Sequence, residues 1–224
     1  MKSDTINWFA IFIEAFFVVL GVFLALAVNN WRDDYNKQQR AEVALKSIIE
    51  EIDVNRIAVN EAILYHTGLM DTLYKHMRAY GVAAENKPGM DVFTGGFVNP
   101  AEPLSRAWET ANATGVVENM PYTQVLLISN VYKYQEQYEV LSTTFGQEIY
   151  RRMFNEGVDG IGDNFQNLAQ IIGSFAYTEC NLAAEYINVL TSLEDARADR
   201  VNADSLDTAG AALNAPIFCD LMPQ

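Results

Sequence analysis

The chain has 224 residues, 15 of them basic and 29 acidic, for a net charge of −14. So acidic a chain repels phosphate backbones and anionic headgroups, which argues against nucleic-acid binding. The surplus is either plain solubility or a surface complementary to a cationic partner.

Residues Trp8 to Val28 form an apolar run interrupted by Glu14 and followed by Asn29-Asn30-Trp31-Arg32. About 20 such residues suffice for one helix to cross a bilayer, and Trp8 and Trp31 fit its two interfacial belts as anchors. The run exceeds the ~7–15 residues of a signal-peptide core, and no small-residue cleavage site follows, so a retained anchor is expected. An ionisable group inside a span is costly and marks a functional-site hypothesis. Glu14, Val18, Gly21 and Ala25 recur at steps of four, three and four and share one face. Gly21 and Ala25 form a small-xxx-small pair that lets helices approach closely. The face reads as a helix–helix interface with Glu14 inside it. The other readings are a carboxyl drawn to the headgroups with no function, and a proton relay as in ion-driven complexes.

Beyond the span, helical patterning continues to Tyr80. Ala41, Leu45, Ile48, Ile52, Val59, Ile63, Met70, Leu73, Met77 and Tyr80 follow steps of three, four and seven, the seam of a helix packed on others. Asn55 and His66 fall in the same seam. The segment from Gly81 to Pro103 carries Pro88-Gly89, Gly95-Gly96, Pro100 and Pro103, and Val92-Phe93-Thr94 with Phe97-Val98 suggests a short hairpin around the glycine pair. A short helix is expected over Leu104 to Asn112, closed by Gly115. A long one should start at Pro121 and end near Glu156, with Val125, Ile128, Tyr132, Tyr138, Phe145 and Ile149 inward. Gly157, Gly160 and Gly162 make a turn, and Asp163 would cap the last helix. That helix has the cleanest pattern, Phe165, Leu168, Ile172, Phe175, Glu179, Leu182, Tyr186, Val189 and Leu193. Glu179, a carboxylate on a buried seam, needs a partner, which His66 or Asn55 could supply.

The fold class is therefore all-α: one N-terminal transmembrane helix continuing into an antiparallel helical bundle with a short irregular or hairpin insertion. Residues 1–31 form a short tail and the anchor, 32–196 the bundle, and 197–224 a loosely ordered tail. His66 and His76 are ten apart and the two cysteines 39 apart, so no metal site is expected. The glycines at 157, 160 and 162 follow a helix rather than a strand, so no nucleotide loop is expected either. No nucleophile motif supports catalysis, and no cofactor is called for. Cys180 and Cys219 either form a disulfide that staples the tail to the bundle, as an oxidising compartment permits, or remain two thiols.

The anchor also carries a resemblance. Glu14, Val18-Val19, Gly21-Val22, Ala25-Leu26 and Val28-Asn29-Asn30-Trp31 look like the opening of an uncharacterised family of bacterial single-pass inner-membrane proteins, a domain of unknown function. Ser105-Arg-Ala-Trp-Glu-Thr110 and Thr114-Gly115 are similar to a second segment of that family. The likeness covers the anchor well, the second segment moderately and the last third poorly, and Ile13 stands where the family has glycine. Relatives often carry a basic tail before the span, which implies a cytoplasmic amino terminus and a periplasmic bundle. The charges flanking this span point the other way: Lys2 precedes it, and Arg32, Lys37, Arg40 and Lys46 follow.

Together these readings lead to a non-enzymatic membrane protein. It would be an accessory or scaffolding subunit, held to other transmembrane subunits or to its own copies through the Glu14 face. The alternative is a periplasmic helical-bundle sensor of a small ligand.

Overall fold

The structure is a computed structural model, and it describes residues 8–162 and 165–202. The protein is all-α, with no strand among the described residues. α1 spans Trp8–Tyr80, 73 residues without interruption, which at 1.5 Å per residue is a rod about 110 Å long. Helix-compatible residues and the absence of proline let the apolar segment run straight into the stalk. α2 is Arg106–Ala113, α3 Tyr122–Gly162 and α4 Phe165–Asn202.

Every described side chain from Phe9 to Arg40 is exposed, so among the described residues nothing covers the apolar third of α1. Among the described residues this is one helix long and apolar enough to cross a membrane.

Above it, side-chain contacts fix the directions of the four legs. The rings of His76 and Phe165 lie 5.9 Å apart, His66 meets Glu179, and Met70 abuts Gly173. Along α1 these partners run backwards along α4, so the two helices are antiparallel. α3 meets α1 in the forward sense, Tyr132 at Glu51 and Gln135 at Asn55. α1 and α3 are thus parallel, and something must carry the chain back between them. Residues 81–121 do this. They descend α1 past Tyr65, His66, Asn55 and Glu51 in turn. The bundle is up–down–up–down, and its second leg is an irregular strap, residues 97–105, followed by the short α2.

The segment expected as an insertion is therefore one leg of the fold, and the expected hairpin is absent. Met90–Phe93 forms a 3-10 turn, the Gly96 N–H donates to the Phe93 carbonyl at 2.8 Å, and Gly96 takes φ +100°. The reason is side-chain direction. Strand pairing sends successive residues to opposite faces, whereas a tight turn lets Phe93 and Phe97 meet on one side, 4.8 Å between tilted ring centres. Both rings then join the apolar cluster that includes Leu69, Leu73 and Ile172.

Helix ends follow local chemistry. α2 starts at Arg106, two residues later than Leu104, because the backbone of Leu104 is bound by Asn55. Gly115 closes it in the left-handed region, φ +68°. Pro121 precedes α3, and its carbonyl accepts from the Gln124 and Val125 amides. α3 runs to Gly162, but Gly157 leaves helical geometry, φ 72° and ψ 173°, so regular helix stops at Glu156 as the pattern indicates. Asp163 lies outside the described residues. α4 extends to Asn202 rather than ending near Ala196, and the tail from 203 lies outside the described residues. The nine expected seam positions of α4 are all buried. On α1 the seam holds from Ala41 to Leu73, but Tyr80 is 65% exposed, beyond the reach of the bundle.

Candidate functional site

The face expected to meet another helix falls on the apolar third of α1. Glu14, Val18, Gly21 and Ala25 lie on one side of α1, all exposed, and a Cβ added at Gly21 would have nothing within 4 Å. Trp31 is 74% exposed; the side chain of Trp8 lies outside the described residues. Cys180 is buried on α4, while Cys219 lies outside the described residues.

Inside the bundle the polar seam residues converge on the strap. Glu179 and His66 are both fully buried, with His66 Nδ1 2.8 Å from Glu179 Oε2. The Tyr138 hydroxyl donates to Glu179 Oε1 at 2.9 Å. The strap supplies the other ends: the Asn99 N–H donates to His66 Nε2 at 3.0 Å, and the Ala101 N–H donates to the Tyr138 oxygen at 2.9 Å.

Proton accounting fixes the state of this group. A backbone N–H can only donate, so His66 Nε2 must be an acceptor and its single ring proton sits on Nδ1, facing Glu179. Tyr138, accepting from Ala101, turns its own proton to Glu179. The carboxylate therefore receives two neutral donors, and among the described residues no lysine or arginine pairs with it. Two amides of the strap, two residues apart, are relayed through a ring and a phenol to one buried anion. Burial pushes the Tyr138 phenol well above its ordinary value of 10.0, and the neighbouring Glu179 carboxylate adds to the shift.

About three turns down α1 from His66, a second group grips the same strap. Asn55 accepts the Leu104 N–H at 2.7 Å through Oδ1 and donates to the Leu104 carbonyl at 2.7 Å through Nδ2. Gln135 donates to that carbonyl at 3.1 Å, and its own Oε1 accepts from Tyr186 at 2.8 Å. Further down, Glu51 accepts from the Ala107 N–H at 2.9 Å and from the Tyr132 hydroxyl at 2.6 Å. Trp108 stacks on Tyr132 at 5.6 Å.

The strap needs this treatment because an extended segment between helices has no ladder to satisfy its backbone, and buried N–H and C=O groups must be paired. Pro100 and Pro103 remove two of the donors outright. The remaining amides of Asn99, Ala101 and Leu104 go to side chains of α1 and α3.

The His66–Glu179 pairing was one of two the sequence offered, and Asn55 serves the strap instead. Tyr138 and Tyr186 are found at inward positions as expected, but their hydroxyl roles, with Gln135 and Glu51, are not visible in an apolar pattern. The one sequence signal is that Gln135 sits between Tyr132 and Tyr138 on the inward face, where a polar group demands a partner.

With the strap docked, the trio of carboxylate, imidazole and phenol is out of contact with solvent, His66 and Glu179 being 0% exposed. Its chemistry is positional. Open grooves lie elsewhere, one of about 890 Å³ between Arg40 and Val43 of α1 and Ala107 and Ala111 of α2. No group of metal-ligating residues occurs among the described residues. Comparisons with protein-family models, curated proteins and solved structures give no match.

Proposed function

We propose that this chain is a single-pass membrane protein of the bacterial inner membrane that serves as a non-enzymatic accessory or scaffolding subunit, its bundle on the periplasmic side. The observation that carries the reading is α1: one unbroken helix whose apolar third is bare and whose remaining length forms the bundle's first leg. A partner bound along the apolar face would be coupled to the bundle by a rigid rod rather than a linker. The Glu14, Val18, Gly21 and Ala25 face is the surface for that partner, either another subunit's helix or a second copy. The likeness of the Asn29-Asn30-Trp31 anchor to the single-pass family supports the topology.

The test is the mass of the full chain, extracted in mild detergent, by light scattering. A defined oligomer or a stoichiometric co-purifying membrane subunit is expected, and Gly21→Leu should dissolve it. Because no described residue comes within 4 Å of a Cβ added at Gly21, that change should leave the bundle intact, which circular dichroism would verify. A clean monomer, or an assembly indifferent to Gly21→Leu, refutes the proposed interface.

A second reading, a sensor of a small ligand, is favoured by the groove beside α2, whose volume falls in the range of ligand sites. Thermal stabilisation of the intact protein by a small molecule, lost on filling the groove from its exposed wall with Thr110→Trp, would support it.

A further inference from the structure

We propose that His66 is an acid-operated latch: a second proton on its ring ejects the strap at Asn99 while tightening the contact between α1 and α4. The inference rests on the direction of each hydrogen bond around one ring. Asn99 holds the strap to His66 by an N–H directed at Nε2, 3.0 Å away, and that bond exists only while Nε2 is unprotonated. Protonation sets two N–H donors against each other at that distance. The same proton turns the Nδ1–H···Glu179 bond into a charge-assisted one between imidazolium and carboxylate, at 2.8 Å and fully buried, which strengthens it. One event therefore weakens the ring's hold on the strap and reinforces its hold on α4.

The neighbours define what else could respond. Glu179 faces the ring from α4, Tyr138 reaches Glu179 from α3, and Tyr65 on α1 sits edge-on at 5.4 Å. The strap itself presents only the Asn99 and Ala101 amides to this group. Glu51 and Glu139 act one layer away, on Tyr186. Both phenols, Tyr65 and Tyr138, are pushed up by burial and stay protonated throughout the acid range. The groups left to change charge are His66 and Glu179, and they oppose each other in sign. Proton uptake by the ring keeps the pair attractive, whereas uptake by the carboxylate abolishes the attraction.

The sign follows directly. The docked strap requires the ring without its second proton, so the released state binds more protons than the docked one. Docking is complete while the ring carries one proton and is lost as falling pH adds the second. Extended backbone held by a few side-chain bonds belongs to the low-stability part of a fold, so release need not disturb the helices. The glycines at 95 and 96 and the turn behind them provide the hinge on one side, and α2 bounds the other.

Hydrogen–deuterium exchange of the full chain in detergent micelles tests this between about pH 8 and about pH 5, the interval in which imidazoles change charge. After correction for intrinsic exchange, peptides over residues 97–105 should lose protection about tenfold or more on acidification, while those over α4 keep theirs. In His66→Gln, which cannot titrate, the transition should vanish. Nitrogen-15 spectra of the imidazoles, with His76→Gln to separate the two histidines, should show His66 gaining its Nε2 proton over the same interval. If His66→Gln does not fold, strap exchange and imidazole spectra taken together on the chain that keeps His66 decide. Strap protection that stays flat while the ring takes up its proton overturns the latch. So does a ring that never takes up the proton, or a transition that persists unchanged in His66→Gln.

Discussion

Tyr138→Phe isolates what the relay to Glu179 is worth. The substitution keeps the ring, which is 1% exposed and packed in the core, and removes one oxygen. That oxygen makes two bonds, donating to Glu179 Oε1 at 2.9 Å and accepting from the Ala101 N–H at 2.9 Å. A hydrogen bond to a charged group contributes about 1.5–3 kcal/mol and a neutral one about 0.5–1.5 kcal/mol. The loss also leaves a strap amide unpaired and removes one of two donors from a carboxylate with no cationic partner. The expected cost is therefore about 2–4 kcal/mol. For a bundle of this size that is a fall of roughly 5–15 °C in Tm. The assay is thermal unfolding of the full chain in detergent, followed by circular dichroism at helical wavelengths, with Phe145→Leu as a control that perturbs packing on the same helix without touching the relay. A Tyr138→Phe protein within about 0.5 kcal/mol of the native one would refute the reasoning. It would mean that the carboxylate is not held by donated hydrogen bonds.

Three other outcomes are expected. A Cβ at Gly95 would lie 2.6 Å from the Tyr65 ring, whose hydroxyl is itself tied to the Gly96 carbonyl; Gly95→Ala should lower Tm by several degrees, whereas Gly173→Ala, which meets the flexible Met70 sulfur at 3.2 Å, should cost less. Tyr132, Tyr138 and Tyr186 are all held above the ordinary phenol value of 10.0, first by burial. A raised folded value means that this stability is complete below pH 10 and is lost as pH rises beyond it, so phenolate absorbance should show three tyrosines that ionise only as the helices melt. If Cys180 and Cys219 pair in an oxidising compartment, the intact chain will be two mass units lighter than its reduced form, and a mass unchanged by reductant would refute the pairing.

Helix positions were legible because burial follows a period. Along α4 the steps of three and four from Phe165 to Leu193 carry only one polar residue, so the pattern names the buried face outright. The same rule overreached at Tyr80, where the period continues but the bundle has ended. What the pattern could not show is direction. Residues 81–121 lack any repeat, so nothing in them announces a leg that returns the length of the bundle. The hairpin failed for a related reason: glycine pairs flanked by apolar residues fit a two-strand turn and a 3-10 turn equally well. The choice is made by contacts beyond the segment: Phe93 and Phe97 join the core between α1 and α4, and Tyr65, 31 residues earlier, holds the Gly96 carbonyl. At the polar site, Glu179's need for a partner was visible, and His66 as a candidate with it. The strap amides were not, because a backbone group carries no letter of its own.

The buried polar residues and the proline-rich strap are two sides of one constraint. A bundle whose second leg were a helix would satisfy its own backbone, and its neighbours could be apolar throughout. With an extended leg, each inward amide and carbonyl needs a side chain that reaches it. Asn55, His66, Gln135 and Tyr138 occupy seam positions where leucine would otherwise pack better, and Glu179 and Tyr186 stand behind them as a further layer of acceptors and donors. Changing any one of the six to an apolar residue leaves the strap or a neighbouring side chain unpaired, and restoring an apolar core would require replacing the strap as well. The arrangement gives up packing uniformity for a leg held at discrete points, where the state of a single ring proton decides whether one of those points holds.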